Sequence, residues 1–260
     1  MLTIDHLAVA HGRREVIADL SVRGLRAGTV SALLGPNGSG KSSLLKALCG
    51  LARTPRGRIV LDGAQLAAAP GARARRVVYL PQALPAAVHL RVLESVLVAA
   101  SASPLDAPQV RPDAAAALTL LERLGIGRLA MQFLDELSGG QKQLAGLAQA
   151  LIRQPRLLLL DEPLSALDLN YQFHVMDLVR EQTRDHGLIT VIVLHDVNLA
   201  LRHADHVLLM REGTLLDEGP PSEAITPASL AELYGVRARI EPCSQGVPQV
   251  LVDGLCQPVG

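Results

Sequence analysis

The stretch Gly35-Pro36-Asn37-Gly38-Ser39-Gly40-Lys41-Ser42-Ser43 decides the fold, because an apolar run, Thr29 to Leu34, precedes it and a helical pattern, Leu44 to Leu51, follows it. Glycines at 35, 38 and 40 let the backbone close into a tight loop whose N–H groups converge, and a helix starting at Lys41 adds the positive end of its dipole. The loop is a cradle for an anion. Lys41 reaches the β- and γ-phosphates of a nucleotide as a point charge, and the Ser42 hydroxyl is placed to bind the Mg²⁺ that bridges them. A turn that binds nothing would also fit the glycines, but the complete G-x-x-x-x-G-K-S spacing between a strand and a helix selects a phosphate loop.

Upstream of this loop, Leu2 to Val9 and Val16 to Val22 read as strands, a β-layer beside a main sheet. Downstream, one strand is predicted to end at the turn pair Asp62-Gly63 and another, Val77 to Leu80, at Pro81-Gln82. Helical patterns begin at Leu90 and again at Asp113, and Pro104, Pro108 and Pro112 break the chain between them as a surface loop. A linker from Gly125 leads to Ser138-Gly139-Gly140 and a further helix, so residues from about 85 to 153 are expected as a helical insertion. The sheet resumes with Leu157-Leu158-Leu159-Leu160-Asp161-Glu162-Pro163, a buried strand that delivers two carboxylates at its C-terminal end, where α/β sheets hold their chemistry. A strand ending at His195-Asp196 is expected beside it. A hairpin around Glu212-Gly213 and a short helix ending at Tyr234 follow. The tail, 236–260, carries a strand pair of unassigned purpose.

Composition narrows the function. Hydrophobic residues make up 49% of the 260, which argues for a substantial core and against a disordered chain. No uninterrupted apolar stretch reaches the ~18 residues of a membrane-spanning helix. The start, Met1-Leu2-Thr3-Ile4-Asp5-His6, lacks the basic-then-apolar pattern of a secretory signal, so a cytoplasmic protein is expected. Lys plus Arg and Asp plus Glu both total 25, which leaves no broad basic field, and the absence of Trp leaves little for stacking bases; nucleic acid is not an expected partner. The Arg73, Arg75, Arg76 cluster is expected as a solvated loop edge. Cys49, Cys243 and Cys256 lack C-x-x-C spacing and read as reduced structural thiols.

A phosphate loop alone leaves kinases, GTPases and many ATPases open. Asp161 is the expected partner for Mg²⁺, directly or through water, and Glu162 beside it is the candidate base for an attacking water, which points to hydrolysis. Leu137-Ser138-Gly139-Gly140-Gln141 is a second anion-binding helix end. Alone it would be an ordinary N-cap. One nucleotide cannot use both ends within one subunit.

Taken in order, these motifs resemble those of the ATPase subunit of an ATP-binding cassette (ABC) transporter, over residues 1 to about 235. Gly35 to Ser43 resembles the Walker A loop, Gln82 the Q-loop glutamine, and Leu137 to Gln141 the signature sequence. Leu157 to Glu162 resembles the Walker B strand with its catalytic Glu, Ser165-Ala166-Leu167-Asp168 the D-loop, and His195 the switch histidine. The resemblance implies an α/β fold: a P-loop NTPase (RecA-like) core with an N-terminal antiparallel β-subdomain and an inserted helical subdomain carrying the signature. It implies ATP and Mg²⁺ as cofactors, with Ser42, Gln82 and Asp161 at the metal, Glu162, His195 and Gln82 in catalysis, and Asp168 near the nucleotide. It also implies a head-to-tail dimer in which each ATP lies between one P-loop and the Ser138 to Gly140 segment of the other copy. The expected partners are two transmembrane permease subunits and, through them, an extracytoplasmic substrate-binding protein, with the ATPase peripheral on the cytoplasmic face of the inner membrane.

Adenine usually stacks on an aromatic residue before the second strand in this family, whereas the chain offers His11, whose imidazole can stack with less area. Leu164 stands where many members have Thr, and Lys142 and Leu144 replace commoner arginines. The run Leu194-His195-Asp196-Val197-Asn198-Leu199-Ala200, with Asp168 to Gln172 and Thr226 to Val236, is similar to importer ATPases for iron-siderophore complexes, haem and cobalamin. Those relatives often carry Gly-Arg-x-Pro-His where this chain has Val98-Ala99-Ala100-Ser101. A soluble ABC ATPase would be expected to have two cassettes or a coiled-coil insertion, and the chain shows neither. A non-hydrolysing regulatory module is disfavoured by Glu162 together with His195.

Overall fold

The computed structural model describes residues 1–12, 14–66, 73, 76–83, 88–101 and 113–257. Arg75 and the expected break at Pro104, Pro108 and Pro112 lie outside them. Among the described residues the strands form three sheets.

The four consecutive leucines explain the central layer. They form β7 (Leu157–Leu160), every residue of which is buried. Side chains alternate along a strand, so Leu158 and Leu160 join one core cluster and Leu157 and Leu159 the other. A strand with apolar residues on both faces needs cover on both, and burial contributes roughly 1.5–3 kcal/mol per leucine. β3 (Thr29–Leu34), β6 (Val77–Leu80) and β8 (Ile189–Val193) lie parallel to it, and the hairpin of β9 (His206–Arg211) and β10 (Thr214–Gly219) completes a sheet ordered β10-β9-β3-β8-β7-β6. As expected, β8 lies beside β7, with Leu160 level with Ile192.

One face is covered by α1 (Lys41–Cys49) and by an antiparallel sheet of β1 (Leu2–His11), β2 (Arg14–Leu25), β4 (Arg53–Leu61) and β5 (Ala64–Gln65). The other face is covered by helices. Three of them, α2 (Val92–Ser101), α3 (Ala114–Arg123) and α4 (Gly139–Leu151), come between β6 and β7, and α5 (Leu169–Asp185) and α6 (Val197–His203) follow later strands. The short helices α7 (Pro221–Ala224) and α8 (Pro227–Tyr234) then lead into a C-terminal hairpin of β11 (Val236–Pro242) and β12 (Pro248–Leu255).

The turn Asp62-Gly63 has φ of 54° and 79°, the all-positive pair of a type I′ hairpin turn. Its aspartate is also a tie point between layers. Arg156, just before β7, grips Asp62 with Nε at 2.7 Å and Nη2 at 2.9 Å, and Arg76 adds a contact at 2.8 Å. The hydrogen bonds from Arg156 foremost, and then that from the Met1 ammonium at 2.7 Å, hold the Asp62 carboxyl well below the usual carboxylate range.

The arginine cluster departs from expectation. Arg73 is buried, and its Nη1 donates to the carbonyl oxygens of Ala47 at 2.5 Å and Leu48 at 3.2 Å. Those carbonyls lie at the C-terminal end of α1, where a cation meets the last carbonyl oxygens and the negative end of the dipole. Arg76 is likewise tied, to Asp62, and is not a free loop edge.

Candidate functional site

Because β3, β8, β7 and β6 are parallel neighbours, their C-terminal ends stand side by side. These ends carry the phosphate loop, His195, the Asp161-Glu162 pair and Gln82. Together with α1 they line a cavity of about 450 Å³ bounded by Asn37, Lys41, Ser42, Gln82, Glu162 and His195. Ser43, the loop glycines Gly38 and Gly40, and Val16 of β2 complete its wall.

The loop needs its glycines for two reasons. A Cβ on Gly35 would fall 2.1 Å from the Met210 carbonyl oxygen, so a side chain cannot be accommodated there. Gly40, the N-cap of α1, has φ 101°, a backbone conformation costly for other residues. Lys41 is buried, and its Nζ donates to the Gly35 and Pro36 carbonyl oxygens at 2.7 and 2.9 Å. Burial draws this ammonium below its ordinary pKa, with the charges of Glu162 and Asp161 opposing.

Asp161 and Ser42 meet directly, the hydroxyl donating to Oδ1 at 3.0 Å. The second carboxylate oxygen accepts from the Tyr79 hydroxyl at 2.9 Å. Burial, then the Asp161 charge, raises the Tyr79 phenol above its ordinary value. A hydroxyl and a carboxylate oxygen side by side beneath a phosphate cradle are the hard oxygen donors that suit Mg²⁺, whose remaining positions are filled by phosphates and water. The residues present fit the ion.

Glu162 is held through both its side chain and its backbone. Gln82 Nε2 donates to Oε2 at 2.6 Å, and His195 Nε2 lies 2.8 Å from Oε1. Its backbone is in the left-handed region, φ 51°, a conformation that costs on the order of 1–2 kcal/mol. Gln143 stabilises it by donating Nε2 to the Glu162 carbonyl at 2.9 Å while its Oε1 accepts from the Ala166 amide at 3.0 Å. Gln82 thus gives its nitrogen to Glu162, while it lines the same cavity as Ser42.

The Ser138 segment faces a different space. Ser138 caps α4 in a capping box with Gln141, whose side chain accepts from the Ser138 amide at 2.9 Å. Gly140 packs on the Ala166 carbonyl oxygen, which a Cβ would approach to 2.8 Å. Ser138, Gly140, Gln141 and Asp168, the N-cap of α5, line a cavity of about 240 Å³ that shares no residue with the first. Gly139 is exposed beside them. His11 lies at the other flank of the phosphate loop, with Nε2 3.0 Å from Ser43 Oγ. Tyr79 and Gln143 escape sequence reading, although Tyr79 is one of only three tyrosines in the chain and sits in the strand that ends at Gln82.

A phosphate loop, a strand-end carboxylate pair and a parallel sheet define a nucleoside-triphosphate hydrolase of the P-loop class. The ABC transporter family model matches residues 19–165. The hemin import ATP-binding protein HmuV of Burkholderia pseudomallei (strain 1710b) is 37% identical, covering 97% of this chain and 99% of its own. The ferric enterobactin transport ATP-binding protein FepC of Escherichia coli (strain K12) is 35% identical over 98% and 94%. Among solved structures, a metal-chelate type ABC transporter in an inward-facing conformation superposes with a TM-score of 0.79 at 26% identity, covering 96% of each chain. The chain belongs to the ABC transporter family, and it is an ATPase of that family. No helix of the described residues is long and apolar enough to cross a membrane.

Proposed function

We propose that this chain is the ATP-hydrolysing subunit of an importer for an iron chelate, haem or a ferric siderophore, or for cobalamin, working as a head-to-tail dimer on two permease subunits at the cytoplasmic face of the inner membrane, with a binding protein supplying the cargo from outside. The observation that carries the hydrolytic reading is the Glu162 carboxylate, held between Gln82 and His195 at the wall of the cavity that also contains Lys41 and Ser42. The similarity to HmuV and FepC over nearly the whole chain supports the cargo class.

In this reading ATP draws Lys41 Nζ from its own loop carbonyls to the β- and γ-phosphates, where the charge contact is stronger. Ser42 and Asp161 would hold Mg²⁺, which would supply positive charge to the phosphates. Tyr79 keeps the Asp161 carboxylate turned toward Ser42. Glu162 takes the proton of the attacking water, and His195 moves from Glu162 to the γ-phosphate. The Ser138 to Gly140 segment of a second copy completes the site, with Asp168 beside it and His11 flanking the adenine.

Proteoliposomes containing this chain, its permease and its binding protein test the cargo. ATP-driven uptake of haem or a ferric chelate is the expected result, with cobalamin assayed in parallel. A complex that hydrolyses ATP yet moves none of the three would end the chelate reading while leaving the ATPase in place.

A further inference from the structure

The Asn198 amide meets the backbone of Val250 in both senses. The Val250 N–H donates to Asn198 Oδ1 at 2.7 Å, and Asn198 Nδ2 donates to the Val250 carbonyl at 3.3 Å. Val250 is paired with Ile240 across the C-terminal hairpin, and on the open side of β12 the asparagine takes the place of one residue of a third strand. The Val250 side chain belongs to the helix-side core, so this contact is partly withdrawn from water, where a missing partner is costly.

Asn198 is the second residue of α6. The helix is capped by Asp196, whose Oδ1 accepts from the amides of Asn198 at 2.7 Å and Leu199 at 3.3 Å. His195 is the residue before that cap. Whatever holds the first turn of α6 therefore holds the backbone from which His195 reaches Glu162. The other end of the C-terminal segment is fixed behind the phosphate loop. Tyr234, the last residue of α8, is half-buried, and its hydroxyl is buried against the Gly35 backbone, short of hydrogen-bond geometry. From Tyr234 the chain runs directly into β11 and returns in β12 to Asn198.

We infer that Asn198 is a positioning residue for His195, and that α8, β11 and β12 form a brace that sets the separation between the phosphate loop and His195. The inference rests on the reading of His195 as the γ-phosphate contact. An imidazole that must exchange a carboxylate for a phosphate needs a fixed pivot, and the brace supplies one from outside the cavity.

Two full-length variants break the pair from opposite sides. Asn198→Ala removes both hydrogen bonds, whereas Val250→Pro removes the amide that Asn198 accepts from, together with the core contacts of the valine side chain. Asn198→Asp, which keeps the acceptor and loses the donor, grades the effect if either of the others fails to fold. The readouts are kcat and KM for ATP and the imidazole NMR resonance of His195, assigned by its loss in His195→Ala. Each variant is expected to lower kcat roughly 10- to 100-fold, as a misplacement of about 1 Å does, with KM changed by less than about twofold, and to displace the His195 resonance. Asn198→Ala added to His195→Ala should cost nothing further, because both losses act through one group. Folded variants with an unmoved resonance and parental kcat, or losses that add in full, overturn the inference. Should His195→Ala alone keep full turnover, the γ-phosphate role of His195 fails; the resonance then judges the brace by itself, displacement supporting it and constancy refuting it.

Discussion

Lys41 and Glu162 act at opposite ends of one reaction, so their losses should differ in kind. The Lys41 ammonium is held by two carbonyl oxygens of its own loop, partners weaker than the phosphates they await. Lys41→Ala should weaken ATP binding about 10- to 100-fold, the range for a hydrogen bond to a charged group. Glu162→Gln should leave affinity intact and cut turnover at least about 100-fold, as expected for a lost general base. Equilibrium binding of a fluorescent ATP analogue and phosphate release separate the two. A Glu162→Gln protein turning over at the parental rate would remove Glu162 from the role of base. At this scale much of the site is legible in the sequence, because motif spacing alone puts Lys41, Ser42, Asp161 and Glu162 just beyond the C-terminal ends of strands. Tyr79 and Gln143 are not legible, since each acts by supporting a neighbour, and such support depends on packing between elements far apart in the chain.

The elements show the same division between local and distant control. The four-leucine strand, the turns at Asp62-Gly63 and Glu212-Gly213 and the capped helices each carry a local signature and form as read, although helices start earlier where a cap, such as Ser138 or Asp168, extends the first turn. Arg73 is misread as solvated because nothing local reveals that the end of α1 lies beside it. Asp62 is a comparable case, a turn residue that also joins two layers through Arg156 and Arg76. Its carboxyl is depressed below the value in the unfolded chain, about 3.9. The stability it contributes is therefore complete above pH ~4 and is lost as pH falls through the folded-state value. Asp62→Asn should cost on the order of 1 kcal/mol near neutrality, allowing for solvent screening of a partly exposed group. Urea midpoints followed from pH 7 to pH 2 should show the gap to the parent closing below pH 4; a gap that stays constant would mean that Asp62 acts by shape alone.

For the molecule as a whole, the separation of the two cavities bears on how sites would be completed in the proposed dimer. A γ-phosphate gripped by the phosphate loop of one copy and the α4 end of another gains most from both dipoles, so ATP should hold two copies together and its hydrolysis should release them. A Lys41→Ala chain keeps a sound Ser138 segment, and a Ser138→Arg chain keeps a sound phosphate loop. Each alone should be inactive with the permease present, and their mixture should regain one complete site in every mixed dimer. No recovery from such mixtures, with both proteins folded and dimerising, would count against the composite site or show that one site does not suffice. The tail is the part of the molecule least legible beforehand, because a short strand pair without a motif gives no hint that its open edge is matched by one asparagine. In that proposed dimer the two cavities would also decide how a damaged copy is inherited. In a cell making equal amounts of sound and doubly defective chains, random pairing leaves only roughly a quarter of the dimers with two intact sites, so a defect in this gene should be dominant in dosage, its carrier losing more function than the share of bad protein it makes.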